Sequence, residues 1–259
     1  MDASVERVIG DLSAAGLNHW GVVSARRYDR SAKPELRSDA LMPGARSVLV
    51  FASGGRALWE CFLADIRTHP EHLYAEQHPL DAFVGRAIER ASRAWSAAPH
   101  RWFYAAAEAS VHLDFRTLAV AAGIGSPSRL GLVIHEEYGP WLGLRAACMV
   151  PFDLEETGGH ADLCGSCDAP CVTSCPGSAF TEGQWDVEAC VTFHRQSEAC
   201  STSCDARSGC PVGDEHRYSD AQARYHYNRA VGRIEIAQNL EIEDKKFKGL
   251  GPHWADWSG

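Results

Sequence analysis

Along the first part of the chain the apolar positions switch between two periods. Val5, Val8, Ile9 and Leu12 fall at i, i+3, i+4 and i+7, the spacing of one helix face, and Gly16 can end that helix. His19–Ser24 reads as a strand. Leu41-Met42-Pro43-Gly44 is a turn ahead of Ser47–Ala52, a continuous apolar run suited to a buried strand, and Ser53-Gly54-Gly55 breaks that run. A helix is expected over Ala57–Arg67, with Leu58, Cys61, Phe62 and Ile66 on one side. A second is expected over Pro79–Trp95, where Phe83, Ala87, Ile88, Ala91 and Trp95 form a core-facing stripe and Pro79 suits the first turn. Trp102–Ala106 reads as a short strand. Phe115–Ala122 reads as a helix closed by Gly123-Ile124-Gly125, which lacks the third glycine of a dinucleotide fingerprint.

The pattern next predicts a hairpin. Leu130–Ile134 and Trp141–Val150 flank His135-Glu136-Glu137-Tyr138-Gly139-Pro140, and the apolar richness of both arms suggests central strands. Asp153–Asp162 is acidic and glycine-containing, as a linker is. Ser219-Asp220-Ala221-Gln222 is a capping box opening a helix to about Val231. The tail, with Glu243-Asp244-Lys245-Lys246 and the Trp254/Trp257 pair, is less regular. Three segments follow: an α+β domain over 1–160, a cysteine-rich module over 161–218, and a C-terminal helix and tail over 219–259.

Composition narrows the function classes. The 259 residues are 45 % hydrophobic, enough for a packed core. No run approaches the ~18 consecutive apolar residues of a membrane helix. The formal charge of −9 gives no basic footprint for nucleic acid, and leaves tRNA only as a substrate met by a local basic pocket. Met1–Arg7 lacks the basic start and apolar run of a signal peptide, so a cytoplasmic location is expected.

Cysteine usage changes the picture most. Of 10 cysteines, Cys61 and Cys148 sit in apolar surroundings and read as buried thiols; the others crowd between Cys164 and Cys210. Cys164, Cys167, Cys171 and Cys175-Pro176 have the spacing C-x2-C-x3-C-x3-C-P, one residue longer than the bacterial ferredoxin run; Cys190, Cys200, Cys204 and Cys210-Pro211 follow. Two groups of four, each ending in Cys-Pro, point to two 4Fe-4S clusters, since each cubane iron takes one thiolate. In two-cluster ferredoxins the Cys-Pro cysteine serves the other cluster. By that rule one cluster takes Cys164, Cys167, Cys171 and Cys210, and the other takes Cys175, Cys190, Cys200 and Cys204. Two structural zinc sites or a disulfide framework are the rival readings. A free ferredoxin needs little more chain than this module, so the preceding domain is expected to hold the centre that the clusters feed or drain.

The order of features resembles the epoxyqueuosine reductases, cobalamin-dependent iron–sulfur enzymes of tRNA queuosine synthesis. The matching pieces are Leu41–Val50, Ala122–Gly125, Tyr138-Gly-Pro-Trp141, Cys164–Pro176 and the later cysteines. The N-terminal part also resembles the cobalamin-processing protein CblC, through Pro79–Val84, Val133-Ile-His135, Tyr138–Arg145 and Arg217–Gln222. These resemblances imply a nitroreductase-like α+β fold holding a corrinoid, joined to a ferredoxin-like two-cluster module. They place His135 near the corrinoid, Trp141 in its pocket, and Arg145 at a ligand; alternatively Trp141 is core and Arg145 pairs with Glu136 or Glu137. Two family motifs are altered. The acidic residue expected near Ala109-Ser110-Val111-His112 is missing, and Ser128-Arg129-Leu130 stands where the family has Gly-Lys-Asn. The expected activity is a cobalamin-linked iron–sulfur oxidoreductase fed by a donor such as a flavodoxin or ferredoxin. The alternatives are an electron-transfer protein whose N-terminal domain docks a partner without corrinoid, and the same fold holding flavin.

Overall fold

The computed structural model describes residues 3–95, 98–106, 109–181 and 184–243. The Trp254/Trp257 pair and Asp244-Lys245-Lys246 lie outside the described residues.

The chain opens with α1 (Ala3–Ala14), which buries all four residues of the predicted stripe. Strand β1 (His19–Ser24) follows, then two short helices, α2 (Ala25–Tyr28) and α3 (Ser38–Leu41). Strand β2 (Ser47–Gly54) is buried at every position and runs through the expected break. Helices α4 (Ala57–Thr68), α5 (Glu71–Ala75) and α6 (Pro79–Ser92) come next, with Pro79 in the first turn of α6. The last turn of the expected 79–95 helix tightens to a 3-10 turn at Arg93–Trp95. Strand β3 (Arg101–Tyr104) and α7 (Phe115–Ala121) precede two short strands, β4 (Ser126–Pro127) and β5 (Val133–Ile134). Strand β6 (Leu142–Val150) completes a four-stranded antiparallel sheet ordered β1-β2-β6-β3.

Alternation across β2 divides the core. Leu49 and Phe51 face one side, with Val8, Leu12, Phe62, Ile88 and Trp95 from the helices. Val48 and Val50 face the other, with Val23, Phe103, Leu118 and Ala147. The register is Val50↔Gly21 on one edge and Val50↔Ala147 on the other. Strand β1 is an outer strand, and the acidic linker straps its free edge. Val22 donates its N–H to Thr157 Oγ1 at 2.8 Å, and Ser24 donates its N–H to Glu156 Oε1 at 3.0 Å. Hydrogen bonds from Ser24, more than the Arg27 charge, hold the Glu156 carboxyl below its ordinary range. This protects an edge that would otherwise template aggregation.

The predicted hairpin does not form. Strand β5 pairs with β4, not β6, and only the bridge His135↔Gly139 marks the turn. Strand β6 is flanked by β2 along its length and by β3 over Ala146–Met149, while Val133 and Ile134 pair with Pro127 and Ser126. Leu130 and Ile134 pack instead against Ala169, Cys171, Ala206 and Cys210 of the cysteine module. That module carries α8 (Pro170–Thr173), the ribbon β7 (Phe180–Thr181) with β8 (Gln184–Trp185), α9 (Val187–Gln196) and α10 (Asp205–Ser208). The C-terminal part also departs from expectation. It forms two helices, α11 (Asp220–Tyr227) and α12 (Arg229–Asn239), because the Asn228 side chain caps a second start by accepting from the Val231 N–H. Ser219 caps α11 as expected, but Gln222 bonds the Gly55 carbonyl (3.3 Å) instead of closing the box. Tyr225 and Ile236 join the helix-side core of the sheet.

Two left-handed glycines meet where the 135–141 loop touches the module. A Cβ on Gly139 (φ 54°) would fall on the Val212 carbonyl, and one on Gly213 (φ 70°) would fall on the Tyr138 backbone. Gly213→Ala is expected to destabilise the protein by more than the ~1–2 kcal/mol that a left-handed alanine costs, because backbone must also move. Denaturant midpoints followed by circular dichroism check this; an unchanged midpoint would contradict the packing.

Candidate metal centre

All ten cysteines are free thiols. Cys148 is fully buried, and burial pushes its thiol far up. Cys61 is only partly buried and donates weakly to the Ala14 carbonyl at 3.5 Å, so it departs from the buried thiol expected.

The other eight lie in two neighbourhoods. Burial raises the Cys171 thiol first, and Cys164 and Cys167 raise it further. Burial likewise leads at Cys210, joined by Cys171, Cys164 and Cys167. In the second neighbourhood, burial raises Cys200, with Cys204 and Cys175 adding to it; at Cys204 burial leads, Arg207 opposes it, and Cys190 adds. Cys164, Cys167, Cys171 and Cys210 therefore face one another, as do Cys175, Cys190, Cys200 and Cys204.

Local structure explains how the loops present sulfur. Asp162 Oδ1 accepts the N–H groups of Cys164 (3.1 Å) and Gly165 (3.0 Å), which turns the first ligand loop. Ala169, left-handed at φ 54°, absorbs the extra residue before Cys171 and sends its N–H to Cys167 Sγ at 3.4 Å. Cys204 caps α10, its Sγ accepting the Arg207 N–H at 3.5 Å. Arg129 Nη2 donates to the Cys164 carbonyl at 3.2 Å. A cavity of about 380 Å³ is lined by Cys175, Cys190, Cys200 and Cys204, with Phe193 and His226.

The remaining named residues fall at two ends of the 135–141 loop. His135 is buried, and its Nδ1 accepts the N–H groups of Glu137 (3.1 Å) and Tyr138 (3.2 Å). A lone pair on Nδ1 puts the ring proton on Nε2. Its ring stacks on Tyr138 at 5.0 Å and meets His19 edge-on at 4.3 Å, with His160 at 6.4 Å. Burial lowers the His135 pKa. It lowers that of His19 to about 4, with His135 and His160 contributing. At the other end, Trp141 is buried, its ring 4.9 Å from the Arg207 guanidinium and 5.3 Å from Tyr218. Arg145 Nε donates to Ser53 Oγ at 3.0 Å, not to Glu136 or Glu137, and its charge acts on His226. No hydrogen bond or ring contact among the described residues joins His135 to Arg145. Among the described residues six buried ring nitrogens have no partner: Nε1 of Trp95, Trp102 and Trp141, and Nε2 of His19, His160 and His226. A separate cavity of about 720 Å³, lined in part by Tyr104, His112, Phe115 and Arg116, involves none of the eleven named residues.

Sequence reasoning missed His19, His160, Arg207, Tyr218 and His226. Two carried a signal: Arg207 lies between two cysteines of one module, and Tyr218 lies in the Arg217–Gln222 stretch that resembles CblC.

A scan against protein-family models finds no match. Among curated proteins, the epoxyqueuosine reductase of Listeria monocytogenes is 36 % identical over 161 residues, covering 55 % of this chain and 41 % of that enzyme. The matches thus span less than half the length of the curated relatives. An epoxyqueuosine reductase solved with an epoxyqueuosine-modified tRNA stem loop superposes with a TM-score of 0.57 at 16 % identity, over 85 % of this chain and 68 % of that one. The C. elegans B12-trafficking protein CblC superposes with a TM-score of 0.54 at 13 % identity, over 93 % and 98 %. The chain resembles epoxyqueuosine reductases in sequence and shares a mixed α and β fold with them and with CblC.

The His19 environment sets a pH dependence. The folded pKa of about 4 lies below the unfolded 6.5, so the unfolded chain binds the proton first. His19 favours folding fully above pH 6.5, and that contribution is lost as pH falls from 6.5 toward 4. His19→Gln is expected to flatten the stability profile across that window, measured by urea midpoints at stepped pH. Parallel profiles for both proteins would contradict it.

Proposed function

We propose that the chain is an iron–sulfur oxidoreductase carrying two 4Fe-4S clusters that exchange single electrons with a corrinoid held by the N-terminal domain. The observation that carries this reading is the separation of eight thiols into two facing sets of four. The close packing of four cysteines in one run and the proline that ends each set support it over zinc. In this reading residues 1–160 form a nitroreductase-like corrinoid domain, 161–218 the ferredoxin-like module, and 219–259 the C-terminal extension.

The residues fit both groups. Eight thiols supply the donor set, and N–H groups of Ala169 and Arg207 already point at sulfur, as in sites that tune cluster potential by hydrogen bonding. The unpartnered nitrogens of Trp141, His19 and His160 are the orphaned donors and acceptors that an amide-rich ligand would satisfy. His135 contributes an Nε2–H, Arg145 a guanidinium held by Ser53, and Trp141 an apolar wall. A reduced corrinoid supplies a strong nucleophile or reductant, and the protein's share is to bind, orient and exclude water.

The same reading places the protein in the cytoplasm, fed by a flavodoxin- or ferredoxin-like donor; no described helix is long and apolar enough to cross a membrane. The missing acid at Ala109–His112 favours one rival, an electron carrier that docks a partner and binds no corrinoid. A tRNA stem loop is what one structural neighbour binds; here tRNA stands as one candidate electrophile.

Anaerobically purified protein is expected to hold about eight iron and eight sulfide per chain. Added cob(II)alamin is expected to lose the nitrogen hyperfine splitting of its lower base in the EPR spectrum. A free-cobalamin spectrum at excess protein would leave the partner-docking carrier. Cys175→Ala is expected to remove about half of the iron and sulfide; an unchanged content would break the ligand assignment.

A further inference from the structure

Arg207 is held between two aromatic rings. Its guanidinium lies 4.9 Å from the Trp141 ring centre and 4.6 Å from that of Tyr218. Nε and Nη2 donate to the Pro140 carbonyl at 3.0 and 2.6 Å, and Nη2 also reaches Tyr218 Oη at 3.2 Å. Among the described residues no carboxylate lies within ion-pair distance. Arg224, by contrast, makes a two-pronged pair with Glu235 at 2.6 Å, and Arg86 reaches Asp65 at 2.9 Å. A guanidinium enclosed by two rings and a carbonyl, without an anion, has lost hydration that an ion pair would replace. Arg207 also lies at the second cysteine set: its backbone N–H points at Cys204 Sγ (3.5 Å), and it lines the cavity that Cys175, Cys190, Cys200 and Cys204 also line.

We propose that Arg207 is the countercharge of the second cysteine set: it stabilises the negative charge of a cluster held by Cys175, Cys190, Cys200 and Cys204, raises that cluster's reduction potential, and couples it to the Trp141 end of the 135–141 loop. The inference rests on the iron–sulfur reading above. Four thiolates leave a cubane net negative, and each electron taken from an external donor adds one further negative charge. A fixed cation nearby favours the reduced form. Because that cation also contacts Trp141, Tyr218 and Pro140, anything that moves the loop changes the charge felt by the cluster.

The test is an EPR-monitored redox titration of cluster-replete protein, with dithionite as reductant and wild type, Arg207→Gln and Arg207→Lys compared. Arg207→Gln is expected to shift one of two midpoints to more negative potential. The reduced-to-oxidised ratio of that cluster at its wild-type midpoint should fall about tenfold, which is 59 mV for a one-electron couple. The other midpoint should stay in place, and Arg207→Lys should recover most of the shift. Both midpoints unmoved in an Arg207→Gln protein with full iron and sulfide would overturn the proposal. Loss of one cluster's iron in Arg207→Gln, restored by Arg207→Lys, would support a charge requirement; loss in both would make the role one of shape and overturn it. Failure of the iron–sulfur reading itself would show separately, as wild-type protein without iron and sulfide.

Discussion

The apolar core of the cysteine-rich segment is completed by residues from outside it, and much of the remaining architecture follows from that junction. Its core is Leu130, Ile134, Ala169, Cys171, Ala206 and Cys210, and two of these six come from the preceding domain. Two more are thiols in the proposed ligand sets. Small domains commonly complete such cores with staples or metal. Here the module leans on the sheet domain through the 135–141 loop. That demand is why Gly139 and Gly213 face each other without side chains, and why Leu130–Ile134 serves the module and not the sheet.

How much of this was legible in sequence depended on whether the determining contact was local. The stripe of Val5, Val8, Ile9 and Leu12 fixes its helix by spacing alone, and β1 spans the expected His19–Ser24. Strand β2 is buried on both faces, so its apolar run was unambiguous. The Leu130–Ile134 arm has the same local character, yet its partners are β4, for Val133 and Ile134, and the distant cysteine-rich segment, for Leu130 and Ile134. The split of the final helix was hidden because Asn228 looks like an ordinary helix residue until its side chain caps Val231. At the candidate site the cysteines were visible because chemistry restricts their spacing. Arg207 and His19 were not, since a lone arginine or histidine reads as a solvated side chain until burial is known.

Electrostatics separates the two ends of the 135–141 loop. At the His135 end, imidazoles crowd together, and burial holds His19 and His135 toward their neutral forms. At the Trp141 end, Arg207 and Arg145 bring positive charge, and burial with those two charges lowers the His226 pKa to about 3. One end is therefore rich in neutral imidazoles beside Glu136 and Glu137, the other cationic and rich in aromatic faces. A seven-residue loop holds them in fixed relation because Tyr138 is wedged between Gly54, Gly213 and His216.

The two altered motifs gain a physical sense from this arrangement. Arg129, in the place where epoxyqueuosine reductases have Gly-Lys-Asn, donates to the Cys164 carbonyl and so braces the first ligand loop. His112, beside the position of the missing acid, lines the 720 Å³ cavity together with Arg116 and Asp114. Neither position holds a carboxylate next to the His135 or Trp141 clusters. Arg129 thus acts on the ligand-loop side of the molecule, and His112 on a cavity that none of the cysteines lines.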